Sequence, residues 1–128
     1  MAPLEFDEKA RENLDAVHRL LPDESGREAL SNAVANRAYY AAYLAAAHIA
    51  QARRIAFTAG NEYYQHDTFP DVARSGGVLD AQRAADLRYL YGMRVKADHS
   101  EDNVDFEEAD VCANVAEELV AQLLGERR

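Results

Sequence analysis

The chain has 128 residues, one cysteine and a formal net charge of −9. That length is enough for a single domain with a proper core and no metal or disulfide staple, and one cysteine excludes an internal disulfide framework. No apolar run approaches the roughly 20 residues of a membrane span, and Met1-Ala2-Pro3-Leu4-Glu5 lacks the basic-then-apolar order of a signal peptide, so a cytoplasmic protein is expected.

The chain reads as helices throughout, with no sustained apolar–polar alternation to suggest strands. The first helix is predicted from about Asp7 to Leu21, with Ala10, Leu14, Val17 and Leu21 at helical spacing and Pro22 after its end. Ser25 and Glu28 form a capping-box pattern that would open the second helix, which can run to about Arg54. Leu30, Ala33, Val34, Ala41 and Leu44 share one face of that helix, while Tyr39, Tyr43 and Ala50 share the opposite one. A helix apolar nearly all round is usually buried all round, so this one is expected at the centre of a bundle or against a second subunit.

Gly60-Asn61, Pro70 and Ser75-Gly76-Gly77 then break the pattern, leaving room for a short helix between Pro70 and Arg74. An amphipathic helix follows from Asp80 to about Asp98. Beyond a polar, acidic turn, Asp105 and Glu108 give another capping-box start, to a last helix ending near Leu124-Gly125. Its buried stripe is expected to hold Val111, Val115, Leu119 and Leu123, with Cys112 as a buried structural thiol. The expected fold is all-α: an antiparallel up-and-down bundle of four main helices plus a short fifth, in one domain over residues 1–128.

The chemistry concentrates around Arg94-Val95-Lys96-Ala97-Asp98-His99. Leu87, Leu90, Tyr91 and Ala97 gather on one side of their helix, and Arg94 lands among them. A guanidinium in an apolar stripe is costly unless something pairs with it. Arg37 repeats the puzzle on the Leu30/Leu44 stripe, so the two arginines suggest a shared polar site or an oligomer seam. Arg94 and His99 would point ~140° apart on an unbroken helix, and converge only if the helix ends between them or two copies meet.

Two readings stand side by side. In the structural one, Arg94 and Asp98 form an i, i+4 pair and His99 closes the helix near the negative end of its dipole. In the functional one, a neutral imidazole takes the proton of a ribose 2′-hydroxyl and the guanidinium stabilises charge on the adjacent phosphate, with no metal and no cofactor. His18, His48, His66 and His99 show no ligand spacing and no CxxC accompanies them. His48 reads as a core or interface histidine, and His66-Asp67, in a loop beside Tyr63-Tyr64, as helix capping or, alternatively, as a ligand contact.

The charge distribution permits an RNA partner. Residues 25–97 carry a local net charge of +3, the net acidity lies at the two ends, and twelve of the fourteen bases are arginine, the residue that grips planar oxyanions bidentately. The paired tyrosines, Tyr39-Tyr40 among them, suit either base stacking or interior and dimer packing. Arg37, Tyr40, Lys96 and Asp98 are candidate substrate or interface residues beside the candidate catalytic pair Arg94 and His99.

The block Asn36-Arg37-Ala38-Tyr39-Tyr40-Ala41-Ala42-Tyr43-Leu44-Ala45-Ala46 resembles the "RAYYAAFHAA" helix of small prokaryotic HEPN-domain proteins. His66 lies where that family often has a histidine before its next helix. Arg94 to His99 resembles the family's late-helix "RxxADY" element, with histidine replacing tyrosine to give the R-x4-H ribonuclease motif of the wider superfamily. The resemblance spans roughly residues 7–124. It implies a helical bundle that forms a homodimer, with Arg94 on the scissile phosphate and His99 in proton transfer at a cleft between subunits. It also implies a toxin-type endoribonuclease or, alternatively, a non-catalytic module that binds a nucleotidyltransferase partner or a nucleotide.

Overall fold

The computed structural model describes residues 6–21, 30–56, 64–99 and 103–125. Five helices lie within them: α1 (Phe6–Leu20), α2 (Ser31–Ala52), α3 (Phe69–Ser75), α4 (Ala81–Asp98) and α5 (Phe106–Leu124). Four are long and α3 is short, and no strand occurs among the described residues. The chain is a helical bundle, as the sequence periodicity predicts. No helix is long and apolar enough to cross a membrane.

Helix α2 is the axis, packed against α1, α4 and α5. Its alanines explain this: Ala35, Ala38, Ala41, Ala42, Ala45, Ala46, Ala47 and Ala50 are all buried. Side chains this short let neighbouring helices approach on several sides at once, while Val34, Tyr39 and Tyr43 fill the wider gaps. Helix α2 nevertheless starts later than its sequence suggests. It begins at Ser31 behind Leu30, which is 57% exposed and offers no side-chain cap. Ser25 and Glu28 lie outside the described residues.

At its other end α2 closes with a double bond pattern, Ile55 N–H to Ala50 C=O at 2.9 Å and Arg54 N–H to Gln51 C=O at 3.0 Å. This is the Schellman arrangement, with Arg54 at φ 59° in the left-handed position usually given to glycine.

The cap of α5 falls where the sequence places it, and Asp80, predicted as the first residue of α4, is its N-cap. Asp80 Oδ1 accepts from Arg83 N–H at 2.8 Å. Asp105 and Glu108 complete a capping box, with Asp105 Oδ1 accepting from Glu108 N–H at 2.8 Å and Glu108 Oε1 accepting from Asp105 N–H at 3.2 Å. Glu108 also receives Lys96 Nζ at 2.9 and 3.0 Å, tying α5 to α4. That bond, together with Arg83 beside Glu118, sets the two helices antiparallel. Cys112 is buried, as expected, but the buried face of α5 is rotated from the predicted stripe. Leu119 of that stripe is buried and Val115 and Leu123 pack against the core, but Val111 is 46% exposed, and Ala109, Ala113, Ala116 and Val120 point inward beside Leu119. The small alanines allow the close approach to α2 that a valine stripe would prevent.

A candidate oxyanion site built on tyrosines

Tyr39 and Tyr40 are neighbours in α2 and Tyr43 follows one turn on, and Tyr91 and Arg94 belong to α4, which packs beside it. Tyr39 is almost wholly buried, and its ring centroid lies 5.3 Å from Tyr40, 5.8 Å from Tyr43 and 5.4 Å from Tyr91. The Arg94 guanidinium carbon sits 5.3 Å from the Tyr40 centroid, 5.8 Å from Tyr39 and 5.9 Å from Tyr91. Three rings thus supply the electron-rich surroundings that let a cation occupy an apolar stripe. This is the physical answer to the arginine the sequence leaves unexplained.

A second ring system comes from the segment before α3. Tyr43 OH donates to the Tyr64 carbonyl at 2.5 Å, and Tyr64 OH donates to the Ile55 carbonyl at 2.5 Å. Tyr64 stacks on Phe69 with centroids 4.6 Å apart, and Tyr43 meets Phe69 edge-on at 5.3 Å. These contacts pin residues 64–69 onto α2, and His66 is carried with them. Its Nδ1 lies 2.5 Å from Tyr39 OH, and its ring lies near-parallel to Tyr91 at 6.2 Å and tilted against Tyr43 at 4.5 Å.

The protonation states follow from burial. Burial, followed by the neighbouring Tyr43, pushes the Tyr39 hydroxyl far above the ordinary tyrosine range, and Arg94 offsets only part of this. The phenol stays protonated. Burial and then the Arg94 charge push the His66 pKa down, with Asp67 opposing, so the imidazole is neutral at pH 7. Donation from the phenol to Nδ1 satisfies the Tyr39 hydrogen, which has no other acceptor among the described residues. The ring proton of His66 is thereby assigned to Nε2.

Arg94 retains one unsettled atom. Its Nε is 3.4 Å from Asp98 Oδ2, close enough for an ion pair, yet it is buried and makes no aligned hydrogen bond. The side chain as a whole is 24% exposed, so the guanidinium is partly open to solvent. The i, i+4 pairing of Arg94 with Asp98 expected from the spacing is present.

The other predicted residues disperse. His99 is the C-cap of α4, in extended conformation and exposed, with its N–H on the Lys96 carbonyl at 3.2 Å. The helix does end between Arg94 and His99, but within one chain the structure places no contact between them. Tyr40 belongs to the arginine's surroundings, meeting His66 edge-on at 5.8 Å. Lys96 is committed to Glu108 on α5. Arg37 does not share a polar site with Arg94: it is exposed and reaches Asn13 of α1 at 3.3 Å, because the two arginines leave the bundle on different sides of α2. His48 stands half-exposed, 3.9 Å from Asp7.

His66 and Tyr91 are the residues that sequence reasoning undervalued. His66 reads as a capping residue by position, and its partner Tyr39 is 27 residues away. Two signals are available: the costly Arg94, which demands aromatic or acidic company, and the position of His66 where the resembled family often has a histidine. A cavity of about 760 Å³ lies elsewhere, between α1 and α5, lined by Arg11, Asp15, His18, Glu117 and Glu118 among others. Arg11 is already bound there to the Leu124 and Gly125 carbonyls at 3.0 and 3.3 Å, closing α5. Among the described residues no group of three or more His, Cys, Asp or Glu is placed to hold a metal ion. Comparison with protein-family models, curated proteins and solved structures returns no match.

Proposed function

We propose that this protein is a HEPN-like module that acts as a homodimer and cleaves RNA without a metal ion. The observation that carries the reading is Arg94, a partly exposed guanidinium held against three tyrosine rings one turn before the exposed His99. A pre-positioned guanidinium stabilises charge that develops on a phosphate, and it needs no reorganisation when the charge appears. In the reaction, neutral His99 takes the proton of a ribose 2′-hydroxyl, and that oxygen attacks the adjacent phosphorus. The bond to the 5′-oxygen breaks, that oxygen recovers a proton from the imidazolium, and a 2′,3′-cyclic phosphate remains. A dimer supplies what one chain lacks, since the second copy's His99 can approach Arg94.

RNA incubated with purified protein and EDTA tests the chemistry. Wild type is expected to cleave and leave cyclic phosphate ends, and His99→Ala and Arg94→Ala to be inactive. If wild type and His99→Ala cleave alike, or neither cleaves, the catalytic reading is wrong. A monomer mass in solution at micromolar concentration would remove the dimer.

One observation favours a second reading, a non-catalytic module that binds a nucleotide or a nucleotidyltransferase partner. The Asp98 carboxylate already faces Arg94 at Nε and offsets part of the charge that transition-state stabilisation would draw on, while leaving the terminal nitrogens to bind. RNA or nucleotide binding that is lost in Arg94→Ala, with no cleavage by wild type, would select this reading. For the protein partner, co-purification with the product of a neighbouring nucleotidyltransferase-like gene is the corresponding test.

A further inference from the structure

Two helix ends in this chain close with the same turn but different residues. Helix α3 ends with Val78 N–H on the Ala73 carbonyl at 2.8 Å and Gly77 N–H on the Arg74 carbonyl at 3.1 Å, with Gly77 at φ 76°. Arg54 holds the equivalent left-handed position at the end of α2. Glycine takes that conformation at no steric cost, whereas an arginine is strained there. The side chain returns nothing to the fold: Arg54 is exposed, with no hydrogen bond or ion pair among the described residues.

The two ends meet. The side chain of Ile55, next after Arg54, packs on Gly76 so closely that a Cβ there would collide with it. Arg53 Nη1 donates to the Gly77 carbonyl at 2.6 Å. Arg74, in the last turn of α3, is exposed and, like Arg54, has no hydrogen bond or ion pair from its side chain among the described residues. Helix C-termini attract cations in any protein. Arg53 meets that need through its bond to Gly77, but Arg54 and Arg74 bond no carbonyl. Of the nearby acids, Asp71 is paired with Arg88 of α4 and Asp80 accepts the Arg83 N–H.

We propose that this end of the bundle, with Arg53, Arg54 and Arg74 around one turn, is a docking surface for the phosphate backbone of an RNA strand. The proposal rests on the reading of RNA as the ligand and adds a second place, apart from Arg94, where the strand is held. Arg94 lies fourteen residues beyond Asp80 along α4, roughly 20 Å at the helical rise, so one strand of several nucleotides spans both.

The surface suits a nucleic-acid backbone better than a protein. A protein interface is built around an apolar centre, and the exposed large hydrophobic side chains, Leu30, Tyr89, Val95, Phe106 and Val111, all lie outside residues 50–80. A backbone needs only spaced cations, because it offers a phosphate at every nucleotide. The three guanidinium groups therefore need not converge on one point, and each can take two oxygens of its own phosphate. The net charge of −9 repels RNA from the rest of the surface and directs it to this end.

The experiment is fluorescence anisotropy of the full chain with a short labelled 2′-O-methyl oligoribonucleotide, which has no 2′-hydroxyl to react, over roughly 50 to 200 mM salt. Arg54→Gly and Arg74→Gln should each lower the slope of log affinity against log salt by about 0.7, and the double variant by about 1.4. The loss should be the same for any RNA sequence. Arg54→Gly should melt no lower than wild type, because glycine relieves the turn, so its weaker binding is not unfolding. A lower melting temperature would make Arg54 a structural residue and overturn the proposal. If the double variant matches wild type in affinity and slope while Arg94→Ala binds more weakly, the proposal fails and the RNA reading of Arg94 stands. If a polyglutamate peptide displaces the oligoribonucleotide as readily as unlabelled RNA does, this end takes an acidic protein and the proposal fails. If wild type binds no oligoribonucleotide at the lowest salt, both readings fail.

Discussion

The Tyr39 hydroxyl and the Nδ1 of His66 lie 2.5 Å apart, joining α2 to the turn before α3. The phenol is buried in the core and finds its acceptor in a residue far along the chain. Tyr39→Phe removes the donor and strands a half-buried imidazole nitrogen. It should cost about 1–2 kcal/mol, read as a lower urea midpoint at pH 7 with unchanged slope. An unchanged midpoint would mean that the bond contributes nothing net.

The same histidine makes stability depend on pH. Unfolded, His66 takes up a proton near its ordinary pKa of 6.5; folded, burial and Arg94 hold its pKa lower. Between those two values the unfolded chain binds more protons, so stability falls as pH drops from 6.5 toward the folded pKa. One group can supply a slope of at most about 1.4 kcal/mol per pH unit. Urea midpoints collected from pH 7 to 5 should show the decline in wild type and a flatter profile in His66→Phe. Equal slopes would assign the effect to other groups.

Arg94→Met separates function from stability. The cation gains roughly 1–2 kcal/mol from aromatic rings, while a buried, unbonded Nε costs a comparable amount. Methionine keeps the apolar stem and removes the charge. The variant should therefore unfold within about 1 kcal/mol of wild type while losing phosphate and RNA binding. A loss of several kcal/mol in a urea melt would make Arg94 a structural residue first.

Asp105→Ala tests the cap of α5. The substitution removes the Asp105 Oδ1 acceptor of the Glu108 N–H and leaves the bond from its own backbone N–H to Glu108 Oε1. The expected loss is about 1 kcal/mol, with amide exchange accelerating first in residues 106–109. Protection there equal to wild type would show that the Lys96–Glu108 pair holds this end unaided.

The sequence by itself determined the helices and most of their ends. Capping residues, breakers and the 3.6-residue period are local, and Asp80, Asp105 and the alanine-rich run 41–47 carry their structural meaning within a turn or two. It also marked Arg94 as anomalous, because an arginine between Leu90 and Ala97 violates the pattern around it. Only the tertiary structure decided what that arginine faces. Residues 64–68 have no periodicity, so His66 finds its place through Tyr43 on the Tyr64 carbonyl and Tyr64 on Phe69, contacts between segments that local pattern does not encode. The rotation of α5 that exposes Val111, and the divergence of Arg37 toward Asn13, were settled the same way. Which face of a helix is buried depends on how closely its neighbours can approach, and that distance is a property of the packed bundle.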